Sequence, residues 1–367
     1  MKIMMFIPSL LPGGAERVMS TVANYMVKED DVEILMLNEM EPFYDLSEKI
    51  VVKNVTTAKR FEGIIGSIIF LFAEFRRRKD FIHEVETYQP DIILSFLNTT
   101  NLIVLSAKYR VKTIPIVVSE RNDPNLYNKI LRTVISNIYP KADLIICQGS
   151  KVASYYKSKR GKTVVIPNPI NISSIGDYHE QREKKIVSVG RLIEVKNHKL
   201  LINAFKKISE EYPDYILEIY GEGELRNELE RLIETLDIAD RVFLRGNKKN
   251  VMQYIDTAQC FVLTSNYEGF PNVLLEAMAS GLPVISTDFP TGIAYDLIEN
   301  GINGYVVPVG DEDKLVDAIR NVLKSKELQS KMGKSNLYVR ELYSEEIICR
   351  KWKDTLHEIA CRRKKYW

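Results

Sequence analysis

Two acids with seven residues between them, Glu268 and Glu276, stand in the stretch NYEGFPNVLLEAMASGLPVIS, Asn266 to Ser286. Gly269-Phe270-Pro271 predicts a turn. Pro271 suits the first position of a helix, because its φ is already fixed there. The helix is expected to run to about Ser280, with Gly281 as its stop. Glu268 then lies just outside the helix N-terminus and Glu276 on the second turn, roughly 12 Å of helix rise away. The amides of Asn272–Leu274 would face an anion or polar ligand. Two carboxylates so placed can touch different parts of one extended ligand. A hexose next to a ribonucleotide diphosphate has about that size, one acid accepting from the sugar hydroxyls and the other from the ribose. The alternative is that Glu276 faces solvent while Val273, Leu274, Ala277 and Met278 point inward.

A diphosphate needs cations. SVGRLIEVKNHKLLINAF, Ser188–Phe205, offers two. Gly190 is expected to end a strand, Arg191 and Lys196 to lie in the following loop, and a helix to start near Asn197. Arg supplies a planar fork and Lys a mobile point charge. Two solvated loop cations are the bland reading. PSLLPGGAERV, Pro8–Val18, adds Gly13-Gly14 ahead of another helix, where backbone N–H groups can approach an anion. The spacing does not meet the GxGxxG dinucleotide pattern, and a plain turn is the alternative.

These residues need strands and helices to hold them. Short β-rich runs alternate with helical patterns: Lys2–Ile7, Val32–Leu37, Asp91–Phe96, Pro115–Ser119, Leu144–Gln148 and Val164–Ile166 in the first half. After Pro169 the series restarts with Ile186–Val189, Tyr215–Tyr220, Val242–Leu244, Cys260–Leu263, Pro283–Ser286 and Tyr305–Val307. Most runs are continuously apolar, which marks strands covered on both faces, hence parallel sheets with crossover helices. Two series predict two doubly wound α/β domains, which 367 residues also favour. The proline-rich and then charged stretch Ile166–Lys185 reads as the seam. Ligands of such sheets bind beyond the carboxyl ends of the strands, so a cleft between the domains is the expected site.

Composition sets outer limits. Hydrophobic residues are 45% and charged residues 27%, an ordinary globular balance that argues against disorder. Cys147, Cys260, Cys349 and Cys361 form no CxxC pair, so neither a metal site nor a disulfide framework is expected, and a reducing compartment fits. Met1–Pro8 reads as a buried first strand and not as a signal peptide. Net charge is +2, yet residues 1–168 hold 23 Lys and Arg against 18 Asp and Glu. The last 18 residues hold seven basic and two acidic groups. A basic first half and a basic tail suggest an anionic partner; scattered solvated lysines are the alternative.

Taken together, GGAER (13–17), IPNPI (166–170), VGRL and KN (189–197), YGEGELRNELE (220–230), GNKKNVMQYI (246–255), the Glu268–Glu276 block and GINGYVVPVGD (301–311) resemble the retaining nucleotide-sugar glycosyltransferases of the glycosyl transferases group 1 family, with the GT-B fold. SERNDP (119–124) is similar to members that assemble bacterial capsule, O-antigen and lipid-linked glycans. The resemblance implies an acceptor domain over 1–168, a nucleotide-sugar domain over 169–345, and a last helix, 346–367, crossing back to the first domain. It implies that Arg191 and Lys196 neutralise the diphosphate of a UDP-sugar, helped by the amides of Gly13 and Gly14. Glu276 would bind the ribose, and Glu268 with the backbone of Gly269, Phe270, Pro271 and Asn272 the sugar. Gly190, Gly246, Asn247 and the Gly221–Glu224 loop would frame the nucleotide. It implies no obligatory metal and no enzyme nucleophile, the leaving phosphate taking the acceptor's proton. The acceptor would be a polyprenyl-diphosphate-linked glycan, met at the inner face of the cytoplasmic membrane. Nothing points to nucleic acid.

One position departs from the pattern. Many relatives carry a histidine where Arg121 stands; a neutral imidazole accepts a hydrogen bond and a guanidinium cannot. Arg121 is expected to meet a phosphate, or to pair with Glu120 or Asp123. Phe61–Val85 joins an apolar run to Arg76-Arg77-Arg78-Lys79; it reads as a core helix with a basic end or as a segment lying on an anionic membrane. CRRKKYW at the end could contribute. Two other functions fit the architecture: a nucleotide-sugar epimerase, which would need acid/base groups that only His198 approaches, and a non-catalytic nucleotide-binding protein.

Overall fold

The apolar runs become strands that are covered on both faces. The computed structural model describes residues 1–55 and 63–364, by backbone alone over 63–75 and 363–364. It divides into two units, Met1–Pro169 with Glu345–Trp367, and Ile170–Ser344.

The first unit runs β1 (Lys2–Ile7), α1 (Gly14–Met26), β2 (Asp31–Met36), β3 (Val51–Asn54), α2 (Gly63–Tyr88), β4 (Ile92–Phe96), α3 (Asn98–Ala107), β5 (Ile116–Glu120), α4 (Lys129–Ile138), β6 (Leu144–Cys147), α5 (Ser150–Ser158) and β7 (Thr163–Val165). The strands lie in the order β3-β2-β1-β4-β5-β6-β7, and each neighbouring pair is parallel. Parallel neighbours cannot be joined by a tight turn, so helices cross over both faces. Strand β1 shows the consequence. Ile3, Met5 and Ile7 pack with Val18, Met19 and Val22 of α1, while Met4 and Phe6 pack with Phe81, Val104 and Tyr156 on the other face. Side chains alternate with period two, and both sets meet a helix layer, so the strand reads as unbroken apolar sequence.

The second unit runs β8 (Glu183–Val189), α6 (His198–Ile208), β9 (Ile216–Tyr220), α7 (Arg226–Thr235), β10 (Val242–Gly246), α8 (Met252–Ile255), β11 (Ala258–Leu263), α9 (Asn272–Ala279), β12 (Val284–Thr287), α10 (Ile293–Leu297), β13 (Gly304–Val307), α11 (Glu312–Leu323), α12 (Lys326–Asn336) and α13 (Val339–Leu342). Its parallel order is β10-β9-β8-β11-β12-β13. Ile186 of β8 faces Phe205 and Ile319; Val187 faces Phe261, Leu274 and Met278. Each sheet therefore reverses strand order at its first strand, β1 or β8.

The last helix, α14 (Glu345–Lys364), belongs to the first unit. Ile348 and Cys349, then Trp352, Leu356 and Ala360 at intervals of three or four, make one apolar stripe and join the cluster beneath α1. Trp352 is wholly buried, its ring 5.4 Å from that of Phe96. Lys353 pairs with Glu29, and His357 Nε2 lies 3.0 Å from Asp30 Oδ2.

Two differences from the sequence reading have plain causes. Strand β3 went unread because an edge strand has one neighbour and need not be apolar on both faces; Val51 and Asn54 are exposed. Strand β8 starts at Glu183, inside the stretch read as linker, because its backbone already pairs there with β11 and β9, and the Lys185 ammonium finds the Tyr254 carbonyl at 2.9 Å and Glu183 at 3.1 Å. Among the described residues no helix is long and apolar enough to cross a membrane. Phe61 and Glu62 of the proposed membrane segment lie outside the described residues, as do Lys365–Trp367 of the tail.

The packing of α14 gives a test. Trp352→Ala is expected to lower the unfolding free energy by about 3–5 kcal/mol, measured by urea denaturation; a loss under about 1 kcal/mol would mean that the helix does not contribute to the core.

Candidate functional site

In the second unit the strand order reverses between β8 and β11, the place where open α/β sheets bind ligands. The two loops leaving these strands are stitched together. Strand β8 ends at Val189, and a single 3-10 turn, Glu194–Lys196, follows. Asn197 then adopts a left-handed conformation, φ 47°, and its side chain accepts the Leu200 N–H to cap α6. Asparagine tolerates both tasks better than most residues. From the β11 side, Asn266 N–H donates to the Val195 carbonyl at 2.8 Å. Thr264 Oγ1 donates to the Lys196 carbonyl at 3.1 Å, and Asn197 Nδ2 to Asn266 Oδ1 at 3.0 Å.

That stitching brings two of the predicted residues together. Lys196 Nζ stands 2.5 Å from Glu268 Oε1, with the two side chains 18% and 12% exposed. Ser265 Oγ donates to the same oxygen at 2.6 Å. Thr287, at the end of β12, holds the Ser265 carbonyl at 2.6 Å, and Thr291 holds that of Glu268 at 3.1 Å. The ammonium keeps two N–H groups and the carboxylate keeps Oε2 without partners among the described residues. The pair can therefore meet a ligand that offers both an anion and hydroxyls. Ser265, Thr287 and Thr291 were missed in the sequence; a hydroxyl residue near a strand end carries no spacing signal.

Gly190 and Arg191 lie beside this pair. Gly190 N–H donates to the Tyr220 carbonyl at 2.9 Å. Gly221 has φ +146°, and a Cβ there would stand 2.0 Å from the Gly190 carbonyl oxygen, so only glycine lets β8 and β9 leave the sheet this closely. A small pocket opens where they part, lined by Gly190, Arg191, Tyr220, Asn247, Lys248 and Val251. Gly246, φ +71°, turns the chain beneath it. Arg191 is exposed, and its guanidinium makes no ion pair or hydrogen bond among the described residues. Lys248 and Val251 join residues that the sequence had proposed.

Helix α9 begins one residue later than expected, at Asn272, with Pro271 as its cap. Asn272 and Leu274 N–H groups already donate to the Phe270 and Pro271 carbonyls at 3.0 Å. Of the amides expected to face a ligand, that leaves Val273; those of Gly269 and Phe270 also have no acceptor among the described residues. Glu276 is half-buried. Only the span from Asn272 to Glu276 is helical, so the 12 Å of continuous helix rise to Glu268 does not apply. Gly281, φ +71°, stops the helix as expected.

In the first unit, Gly13 caps α1 with extended backbone. Its N–H donates to Tyr44 Oη at 3.1 Å, and that hydroxyl returns to the Gly13 carbonyl at 3.0 Å. The Glu16 carboxylate folds back to within 2.1 Å of where a Gly13 Cβ would stand. An acid in the first turn suits the helix dipole and covers the end that the sequence reading offered to a phosphate.

Arg121 forms no ion pair with Glu120 or Asp123, which corrects one of the two expectations for it, the pairing within its own loop. Its guanidinium lies 4.2 Å from the Phe96 ring centroid and 5.6 Å from that of Trp352, and NH1 donates to Asn168 Oδ1 at 2.8 Å. Nε and NH2 are buried without hydrogen-bond partners among the described residues. Burial pulls its pKa down to about 9, against the attraction of Glu120. Glu120 is occupied elsewhere: its carboxylate accepts from Tyr156 at 2.6 Å, Tyr127 at 3.0 Å and the Arg121 amide at 2.9 Å.

His198 is buried behind Gly190, with Nε2 3.3 Å from the Gly190 carbonyl. Burial lowers its pKa to about 4, so the neutral ring donates from Nε2. The unfolded chain binds this proton more tightly. Stability from His198 is therefore full above about pH 6.5 and declines as pH falls toward 4, by on the order of 3 kcal/mol. His198→Gln is expected to flatten that decline in stability curves taken from pH 7 to 4; an unchanged slope would contradict a neutral His198.

The comparisons follow the two units. Residues 12–174 match the model described as Glycosyltransferase Family 4, and residues 176–337 the model described as Glycosyl transferases group 1. The GalNAc-alpha-(1->4)-GalNAc-alpha-(1->3)-diNAcBac-PP-undecaprenol alpha-1,4-N-acetyl-D-galactosaminyltransferase of Campylobacter jejuni is 31% identical, over 90% of this chain and 91% of that one. A second enzyme of that organism, an N-acetylgalactosamine-N,N'-diacetylbacillosaminyl-diphospho-undecaprenol 4-alpha-N-acetylgalactosaminyltransferase, is 30% identical over 89% and 92%. Among solved structures, Anabaena HepE in complex with UDP superposes with a TM-score of 0.80 at 19% identity, covering 98% of this chain and all of that one. The lipopolysaccharide outer core galactosyltransferase WaaB gives 0.79 at 20%, over 98% and 99%. The chain belongs to the glycosyl transferases group 1 family and has the GT-B fold of two doubly wound α/β units.

Proposed function

We propose that this chain is a retaining glycosyltransferase that moves a hexose or N-acetylhexosamine from a UDP-sugar to a growing glycan, carried on polyprenyl diphosphate, in bacterial surface polysaccharide assembly. The observation that carries the reading is the Lys196–Glu268 pair at the reversal point of the second sheet, with exposed Arg191 beside it. Arg191 and Lys196 take the donor diphosphate; Glu268 turns its second oxygen toward the sugar hydroxyls; Glu276 binds the ribose. The pocket between Gly190, Tyr220, Asn247 and Val251 takes the base. HepE, which binds UDP, supports a uridine donor. The Campylobacter relatives, named for undecaprenol diphosphate-linked glycans, support the acceptor. On this reading the protein works at the inner face of the cytoplasmic membrane.

The reaction then requires little of the protein beyond charge and position. The bond from the sugar's anomeric carbon to the diphosphate breaks, and the acceptor oxygen bonds that carbon on the same face. The acceptor's proton passes to a leaving-phosphate oxygen. Negative charge grows on the diphosphate as the bond breaks, so fixed cations stabilise the transition state more than the ground state. Arg191 can do this without first losing another partner. Lys196 is held in place by Glu268, so its charge is pre-aimed. An epimerase would need a proton-transferring group at the sugar. His198 does not serve, because its ring is buried against Gly190.

A donor screen tests the proposal: incubation with UDP-, GDP- and ADP-sugars, with and without a polyprenyl-diphosphate glycan, followed by nucleoside diphosphate release. Lys196→Ala and Glu276→Ala are each expected to reduce turnover by roughly 100-fold or more with circular dichroism unchanged. Retained activity in Lys196→Ala would remove the diphosphate assignment, and release from GDP- or ADP-sugars alone would remove the uridine donor.

A further inference from the structure

The outer surface of α4 and α5 has a composition that the glycosyl-transfer site does not use. From residue 124 to residue 168 the sequence holds eight Lys and Arg and a single acid, Asp143. That acid is neutralised locally: its carboxylate accepts from Lys108 Nζ at 3.0 Å and from the Ile116 amide at 2.9 Å. The two acids just before the stretch, Glu120 and Asp123, are buried. The surface is therefore positive without a compensating charge of its own.

Apolar side chains stand within this positive field. Leu126, Ile130 and Val134 are 52%, 79% and 38% exposed. Ile130 and Val134 are four apart on α4 and share its outer face, while Ile135 on the inner face packs in the core. Helix α4 is thus amphipathic inward and carries a second, exposed apolar ridge outward. Lys129 is exposed at its start. Helix α5 lies alongside, Ser136 Oγ and Tyr155 Oη standing 2.7 Å apart, and it exposes Lys151 and Lys157. Apolar ridge and basic flank occupy neighbouring helices on one face of the first sheet.

We infer that this α4–α5 face is the surface by which the first unit rests on an anionic lipid bilayer, with Ile130 and Val134 entering the interface and the lysines meeting lipid phosphates. This rests on the proposed lipid-linked acceptor and adds to it where the protein meets the membrane. The combination is what interfacial binding requires: apolar area to bury between headgroups, and cations attracted to the negative surface potential. Charge argues against a second copy of this chain as the occupant, since each copy would bring the same excess of cations to the contact. The face is separate from the Arg76–Lys79 run on α2, where Arg78 already donates to Tyr109 Oη at 2.9 Å.

Vesicle flotation tests this with the full chain and phosphatidylcholine liposomes, with and without phosphatidylglycerol. Wild type is expected to float with the anionic vesicles only. The double variants I130E/V134E and K151E/K157E are each expected to lose roughly tenfold or more of that binding, with melting temperature unchanged and R76E/R77E losing less. Flotation of both α4–α5 variants at the wild-type level overturns the inference. So does failure of wild type to float, or a larger loss in R76E/R77E, which would move the contact to α2. Nucleotide release with a short, water-soluble diphosphate-linked glycan is measured in parallel. If wild type fails there but flotation behaves as stated, the functional reading falls and the membrane face stands.

Discussion

The candidate site of the second unit depends on one ion pair, Lys196 with Glu268. Each partner sits on a loop leaving a different strand of a parallel sheet, and each loop is tied to the other by backbone and side-chain hydrogen bonds. With both side chains mostly out of water, either charge left alone would carry a desolvation penalty of several kcal/mol. Pairing offsets that penalty and limits where the lysine can point. Ser265, Thr287 and Thr291 then fix the acid's own loop, so the ammonium is aimed through two shells of contacts. Such a cation needs little reorganisation when charge develops near it.

Parallel topology explains why the pair can exist where it does. Strands β8 and β11 are neighbours whose crossover connections leave in opposite directions, which opens a gap at their carboxyl ends. Gly190 and Gly221 narrow the approach on the β9 side until a carbonyl oxygen occupies the place of a side chain. The sheet supplies a rigid floor, since its strands are buried on both faces. Loops on such a floor can differ in sequence while the floor does not move.

The first unit solves a different electrostatic problem. Arg121 is buried, yet its counter-charge is not a carboxylate in contact. Phe96 and Trp352 present ring faces, Asn168 accepts one N–H, and Glu120 acts from a distance. A desolvated cation over aromatic rings gains on the order of 2 kcal/mol, less than full burial costs, which fits a pKa drawn down to about 9. The last helix is part of this arrangement. Trp352 joins residues far apart in the chain, so the fold of the first unit is completed only by its final segment.

Local physics made much of this legible in the sequence. Continuous apolar runs could only be strands covered on both sides, and their alternation with helices required parallel sheets. Gly281 could be read as a helix stop, and Gly190 as a strand end, because few other residues take those backbone roles. Lys196 and Glu268 were legible as residues with chemistry, but their contact was not: 72 positions separate them, and only the sheet order brings their loops together. The same holds for Arg121, whose aromatic neighbours come from β4 and the distant α14, and for Glu16 and Tyr44, which crowd the glycine turn whose amides were expected to approach an anion. Edge strand β3 and the hydroxyls of Ser265, Thr287 and Thr291 left no pattern to read, since one-sided strands and single polar residues have no period. Sequence determined which groups this chain owns and the elements that carry them. Tertiary structure decided which of them meet, because burial, hydrogen bonding and charge pairing act between groups that are near in space, wherever they stand along the chain.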